Sequence, residues 1–203
     1  MTTFKNYQFK DFIFETLTKM NFKNPTPIQE LVIPLALQGK DVIGKSPTGS
    51  GKTHAYLLPI LQNIDVTVNE VQAVIMTPTR ELATQIYNNL VEFTKNEERL
   101  RLRLITGGLD RSRMIQKVSR VPHIVIGTPG RIKDIGLDNA EFNMMSAKML
   151  VLDEAAISET SSKNPVSIII SASSSTNILA LIILNSALSN PISLIRPGVP
   201  ITI

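Results

Sequence analysis

The 203-residue sequence has no cysteine, which excludes disulfides and cysteine-based zinc sites. It has two histidines, His54 and His123, and no spacing links them into a metal-binding motif, so both read as ordinary structural residues. No hydrophobic run reaches membrane-spanning length, because the most apolar stretch, Ile178 to Ile195, is interrupted by Asn185, Asn190 and Pro191. The first residues carry Lys5, Lys10 and Asp11 where a secretion signal would be apolar. These absences predict a cytoplasmic protein with no membrane partner. The remaining absence is local. Residues 156–203 contain only Glu159, Lys163 and Arg196 as charges and no aromatic residue, whereas Ser and Ile supply 11 residues each. Residues 1–155, with 19 Lys+Arg and 16 Asp+Glu, have the charge content of an ordinary globular domain.

The length suits one domain able to bury a core without staples. A net charge of +4 permits a polyanionic partner without requiring one. From residue 40 onward, short apolar runs alternate with longer segments of helical period. Strands are expected at 41–44, 71–77, 102–106, 123–127, 148–153 and 167–171, mostly continuous in Val, Ile and Leu, as in strands buried on both faces. Helices are expected at 52–62, 80–94 and 111–118 between them, and at 9–20 and 26–37 before them, the latter with Pro27 near its start. This order predicts an α/β domain with a mostly parallel central sheet and helices on both faces. The unusual residue clusters nearly all follow a strand, so they should converge on the carboxyl edge of the sheet, where such folds bind ligands.

Ser46-Pro-Thr-Gly-Ser-Gly-Lys-Thr53 follows the first strand and opens a helix. Gly49 and Gly51 let the backbone of Ser46, Pro47, Thr48 and Ser50 wrap, so that N–H groups and the helix N-terminus face phosphate oxygens. Lys52 has the reach for β- and γ-phosphates, and the Thr53 hydroxyl suits Mg²⁺. The motif usually begins with Gly where this chain has Ser46. A chance Gly/Ser loop with a lysine is the alternative, and the strand–loop–helix context argues against it. Leu150-Val-Leu-Asp-Glu154 places two carboxylates at another strand exit: Asp153 for the Mg²⁺ shell, Glu154 to orient or deprotonate the attacking water.

With these motifs the sequence resembles the first RecA-like domain of a DEAD-box ATP-dependent RNA helicase, over residues 4–155 well and the rest loosely. The flank His54-Ala-Tyr-Leu-Leu-Pro59 is similar to that of bacterial cold-shock-type members. The resemblance implies a RecA-like P-loop NTPase three-layer sandwich, with residues 1–38 as a Q-motif helical region and 39–203 as the P-loop core. Phe22-Lys-Asn-Pro-Thr-Pro-Ile-Gln29 resembles the Q motif, in which Gln29 reads adenine and an upstream aromatic, here Phe4, stacks on the ring. Phe22 and Pro27 belong to the same motif, and an amide that both donates and accepts suits adenine. Pro78-Thr79-Arg80 opens motif Ia, Gly107-Gly108 matches the double glycine, and Thr128-Pro129-Gly130-Arg131 matches motif Ib. In the family these hold the backbone of single-stranded RNA, and their helix N-termini, amides, hydroxyls and guanidiniums suit phosphate.

The resemblance implies ATP and Mg²⁺ as cofactors, RNA as partner, and a second RecA-like domain that closes over both ligands. Two such domains need about 350 residues or more. The chain is therefore expected to be a monomeric single domain that lacks the second helicase domain and unwinds little alone. It departs from the family at Asp-Glu-Ala-Ala, residues 153–156, where Ala156 replaces an Asp, and at motif III, Ser171-Ala172-Ser173, where the last residue is normally Thr. Residues after 155 keep motif positions but not residue identities, and poor order is expected there. Two other readings stay open: a DNA-directed motor, against which Gln29 and residues 78–83 argue, and a non-enzymatic RNA-binding module with a vestigial nucleotide site, which Ala156 favours and Lys52, Thr53, Asp153 and Glu154 oppose.

Overall fold

Among the described residues, six strands form one sheet in the order β1-β6-β5-β2-β4-β3. They are β1 (Val42–Lys45), β2 (Ala73–Met76), β3 (Leu102–Ile105), β4 (Ile124–Gly127), β5 (Met149–Asp153) and β6 (Ile178–Ile183). The computed structural model describes residues 2–107, 120–136, 144–154 and 178–183. Helices α1 (Asp11–Lys19), α2 (Pro27–Leu37), α3 (Lys52–Asn63), α4 (Arg80–Thr94) and α5 (Pro129–Gly136) complete the described architecture, with short 3-10 turns at Phe4–Tyr7 and Met144–Ser146. The expected helix at 111–118 and the strand at 167–171 lie outside the described residues.

The layers follow from the two-residue period of the strands. Ala73, Ile75, Ile124, Ile126, Met149 and Val151 point to one face, into a core shared with Ile13 and Leu17 of α1, Ile33 of α2, Leu57 and Leu61 of α3, and Ile86 and Phe93 of α4. Their alternating neighbours Val74 and Val125 point to the other face and pack on Ile132 and Ile135 of α5. A strand covered on both sides has no polar face to offer, which is why these runs are continuously apolar. The sequence reading left α5 unassigned because its length, 8 residues, is too short to show a helical period.

β2 pairs in parallel with β4 and β5, and β3 with β4. β6 differs: it lies between β1 and β5 and runs antiparallel to both. Five strands therefore share a direction and the sheet is mostly parallel, with one reversed strand at an inner position. The expected strands do not include this segment, and a wholly apolar run carries no signal of strand direction. Of the residues after 154, the described ones are Ile178–Ile183, whose backbone pairs with β1 on one side and β5 on the other.

Candidate nucleotide and nucleic-acid site

Sheet order sorts the sequence motifs into two neighbouring groups. The loop after β1 and the carboxylates after β5 flank β6, whereas the exits of β2, β4 and β3 lie side by side beyond β5. Because these five strands run the same way, all their exits share one edge.

On the first side a cleft of about 440 Å³ is lined by Phe4, Phe22, Gln29, Thr48, Gly49, Gly51, Lys52, Thr53, Asp153 and Glu154, together with residues of α4. Gly49 and Gly51 have φ of +77° and +95°, a left-handed geometry that side chains resist. Gly51 is additionally hemmed in, since a Cβ there would lie 2.6 Å from Gln29 Nε2. Gln29 is buried and spans two elements: its Oε1 accepts from the Thr26 N–H at 3.0 Å, and its Nε2 donates to the Gly51 carbonyl at 3.0 Å. The amide thus finishes the first turn of α2 and clasps the loop, leaving one N–H and one lone pair for any purine edge.

Lys52 is buried, and its Nζ donates to the Ser46 carbonyl at 2.5 Å and the Pro47 carbonyl at 2.8 Å. Burial lowers its pKa, opposed by the nearby charges of Asp153 and Glu154. The loop is braced by a 2.6 Å contact between the Ser46 and Ser50 hydroxyls, so Ser46, which stands where Gly is usual, has a structural task. Ser46, Pro47 and Ser50 shape the loop without lining the cleft, and Pro27 serves as the first residue of α2. Phe4 is buried in the main core and still borders the cleft, while Phe22 is exposed and meets the His54 ring edge-on at 5.1 Å.

Asp153 ends β5 with 4% of its surface exposed. Burial raises its carboxyl pKa, and a hydrogen bond from Tyr56 works against that rise. The Tyr56 hydroxyl donates to Asp153 Oδ2 at 2.8 Å, and burial pushes its own pKa well above the ordinary value, which keeps the proton on the tyrosine. Glu154 follows at φ +55°, a left-handed geometry costly for a residue with a Cβ and concentrated at functional sites. One threonine hydroxyl and a pair of carboxylates are hard oxygen donors too few to cage a metal alone. That set fits Mg²⁺, which takes one or two carboxylates and completes its octahedron with phosphates and water.

On the second side, Thr79 caps α4 by accepting from the Leu82 N–H at 3.2 Å. Arg80, next in the chain, lies over the turn after β3: a Cβ on Gly107 would fall 2.3 Å from its Nη2. Two segments far apart in sequence are thereby in contact. The Thr128 N–H donates to the Ile105 carbonyl at 3.3 Å, which sets the start of α5 against the same β3 exit, and Pro129, Gly130 and Arg131 form its first turn. Pro78 precedes the Thr79 cap and is half-buried. Gly108, Ala156, Ser171, Ala172 and Ser173 lie outside the described residues.

The DEAD/DEAH box helicase family pattern matches residues 26–187. The chain belongs to the DEAD/DEAH box helicase family. Among curated relatives it is 47% identical over 156 residues to the DEAD-box ATP-dependent RNA helicase CshB of Bacillus cereus, covering 75% of this chain and 36% of the relative. It is 46% identical to CshB of Bacillus subtilis, covering 76% of this chain and 35% of that protein. The chain thus spans about a third of the length of these relatives. A DEAD box protein from the hyperthermophile Methanococcus jannaschii superimposes with a TM-score of 0.69 at 34% identity, covering 76% of this chain and 42% of that one. The RecA-like α/β fold of this DEAD/DEAH box domain agrees with that likeness.

The motif reading gave no site role to several cleft residues: Asn24 and Thr26 inside the Q motif, and His54, Leu82, Gln85 and Asn89. Gln85 and Asn89 stand on α4 beyond its cap, where only tertiary packing brings them to the cleft. Tyr56 was legible in principle. It follows Lys52 by one helical turn, and a phenol amid Ala55, Leu57 and Leu58 demands a polar partner. His123 fits the structural reading: it is fully buried and its Nδ1 accepts from the Arg101 N–H at 3.2 Å.

Proposed function

We propose that this chain binds ATP with Mg²⁺ and a stretch of single-stranded RNA backbone, as the first RecA-like domain of an ATP-dependent RNA helicase. The observation that carries this reading is the convergence of Lys52, Thr53, Asp153 and Glu154 on one cleft at the strand exits, beside the Arg80–Gly107 contact. Lys52 exchanges the Ser46 and Pro47 carbonyls for phosphate oxygens, which restores the hydrogen bonds of its buried ammonium. Thr53 and Asp153 would hold the metal, which would offset the negative charge of the phosphates. Glu154, at the cleft wall, orients the attacking water and takes its proton. Gln29 and Phe4 select adenine. Arg80, Thr79, Pro78, Gly107, Gly108 and residues 128–131 hold RNA phosphates, with no base-edge reader among them, so sequence preference is weak. Ser171-Ala172-Ser173 stands in for motif III.

The reading assigns residues 1–203 to one domain, 1–38 carrying the Q motif and 39–203 the P-loop core. It implies a cytoplasmic monomer without membrane attachment; among the described residues no helix is long and apolar enough to cross one. Unwinding needs a second RecA-like domain of the same protein, so this chain alone binds both ligands and hydrolyses ATP slowly. Titration with a fluorescent ATP analogue before and after Lys52→Ala tests the nucleotide site: at least a tenfold loss, about 1.4 kcal/mol, is expected. Equal affinities would favour an RNA-binding module with a vestigial site. RNA stimulating hydrolysis more than DNA of the same sequence separates the RNA reading from a DNA motor.

A further inference from the structure

α3 makes two kinds of contact at the cleft. Its first turn presents Lys52 and Thr53 to the open side. One turn further on, Tyr56 points inward and donates to Asp153 Oδ2 across 2.8 Å. The tyrosine is fully buried, and Asp153 keeps only 4% of its surface. A phenylalanine would fill the same volume, so the hydroxyl is not needed for packing. It is needed by the carboxylate: a buried carboxylate oxygen without a donor carries its full desolvation cost. It also bears on geometry. With Oδ2 held by Tyr56, the carboxylate cannot rotate freely, and Asp153 keeps a fixed orientation in the lining of the cleft. The donor sits on the helix that carries Thr53, so this hydrogen bond ties Asp153 to the element that supplies the other candidate metal-holding residue.

We propose that Tyr56 is a positioning residue that fixes the Asp153 carboxylate in the orientation needed to hold Mg²⁺ with the nucleotide. The inference rests on the nucleotide reading and assigns a role to a residue outside the phosphate loop and the carboxylate pair. Partners one bond removed from a metal commonly change metal affinity 10–100-fold when lost.

The test is a Mg²⁺ titration of fluorescent ADP binding to the whole chain, wild type and Tyr56→Phe, alongside thermal unfolding. The expected result is about a tenfold rise in the Mg²⁺ concentration needed for half-maximal binding, with Mg²⁺-free ADP affinity unchanged. Asp153→Asn supplies the second arm: in that background Tyr56→Phe should shift the Mg²⁺ midpoint no further. A lowered melting temperature with an unmoved Mg²⁺ midpoint overturns the proposal, as does an equal shift in the Asp153→Asn background. Should Tyr56→Phe not fold, the wild-type chain still decides, because Tyr7, Tyr56 and Tyr87 are its only tyrosines and ring-labelled NMR resolves them. The Tyr56 signal should move on adding Mg²⁺ with ADP and stay in place with ADP alone; no difference between the two overturns the proposal. A wild-type chain that binds no ADP overturns the nucleotide reading and this inference with it, whereas Mg²⁺-dependent binding indifferent to Tyr56→Phe overturns this inference alone.

Discussion

The side-chain amide of Gln29 donates to the main-chain carbonyl of Gly51 across 3.0 Å, closing the first turn of α2 onto the phosphate loop. The contact is possible only because Gly51 has no Cβ. Gly51→Ala would place a methyl carbon 2.6 Å from Gln29 Nε2 on a backbone held at φ +95°. The strain and the lost hydrogen bond should together cost about 2–4 kcal/mol of stability and weaken nucleotide binding. Urea denaturation and nucleotide titration measure the two effects, and a variant as stable as the wild type would show that the clasp is incidental.

Gly107 and Gly130 make a contrasting pair. Gly107→Ala forces the Arg80 guanidinium away, since the new carbon would lie 2.3 Å from Nη2. RNA affinity should fall about tenfold, the scale of one displaced charge-assisted contact, near 1.4 kcal/mol. Nothing lies within 4 Å of a Cβ added at Gly130, in the first turn of α5. Gly130→Ala should therefore raise stability by up to about 1 kcal/mol through helix propensity. Filter binding and urea melts check the pair; equal RNA binding by Gly107→Ala and wild type would remove Arg80 from the interface.

Salt dependence counts the phosphates this domain neutralises. The arginines among the candidate RNA residues are Arg80 and Arg131, so log affinity against log salt should slope at about −1.4 for single-stranded RNA, from −0.7 per contact. Arg80→Ala should bring the slope to about −0.7. A wild-type slope steeper than about −3 would mean that most of the electrostatic footprint lies on other cations.

Both imidazoles are held below the ordinary value of 6.5, His54 by burial and His123 by burial and then by Arg101. The unfolded chain therefore binds more protons than the folded one between the lowered values and 6.5, and stability must decline as pH falls through that window. The contribution is complete above 6.5. Asp153 acts in the opposite sense, because its raised carboxyl pKa favours the folded chain as protons bind, in a window that starts at 3.8. Urea midpoints at pH 7.5 and 6.0 should show a loss at the lower pH, reduced in His123→Phe; a flat or rising midpoint in the wild type would contradict the assignment.

Much of the site was legible because phosphate chemistry constrains residue type locally. A loop needing positive φ at Gly49 and Gly51, then Lys52 and Thr53, is one continuous segment whose geometry the sequence encodes directly. The same holds for Asp153 and Glu154 at a strand exit, and for Thr79 capping α4. Residues brought to the cleft by packing were not legible. Gln85 and Asn89 carry no motif signal and His54 reads as structural, yet the packing of α3 and α4 brings all three to the cleft.

The sequence by itself determined the strand and helix alternation, the composition of the phosphate loop and the family to which the chain belongs. These depend on backbone conformation and side-chain chemistry within a few residues of one another. Only the tertiary structure decided that β6 enters the sheet reversed, that Arg80 lies over Gly107, and that Tyr56 ends on Asp153. An apolar strand pairs equally well in either direction, and an exposed arginine or a buried phenol finds its partner through the packing of distant elements. Neither choice is written in the spacing of neighbouring residues.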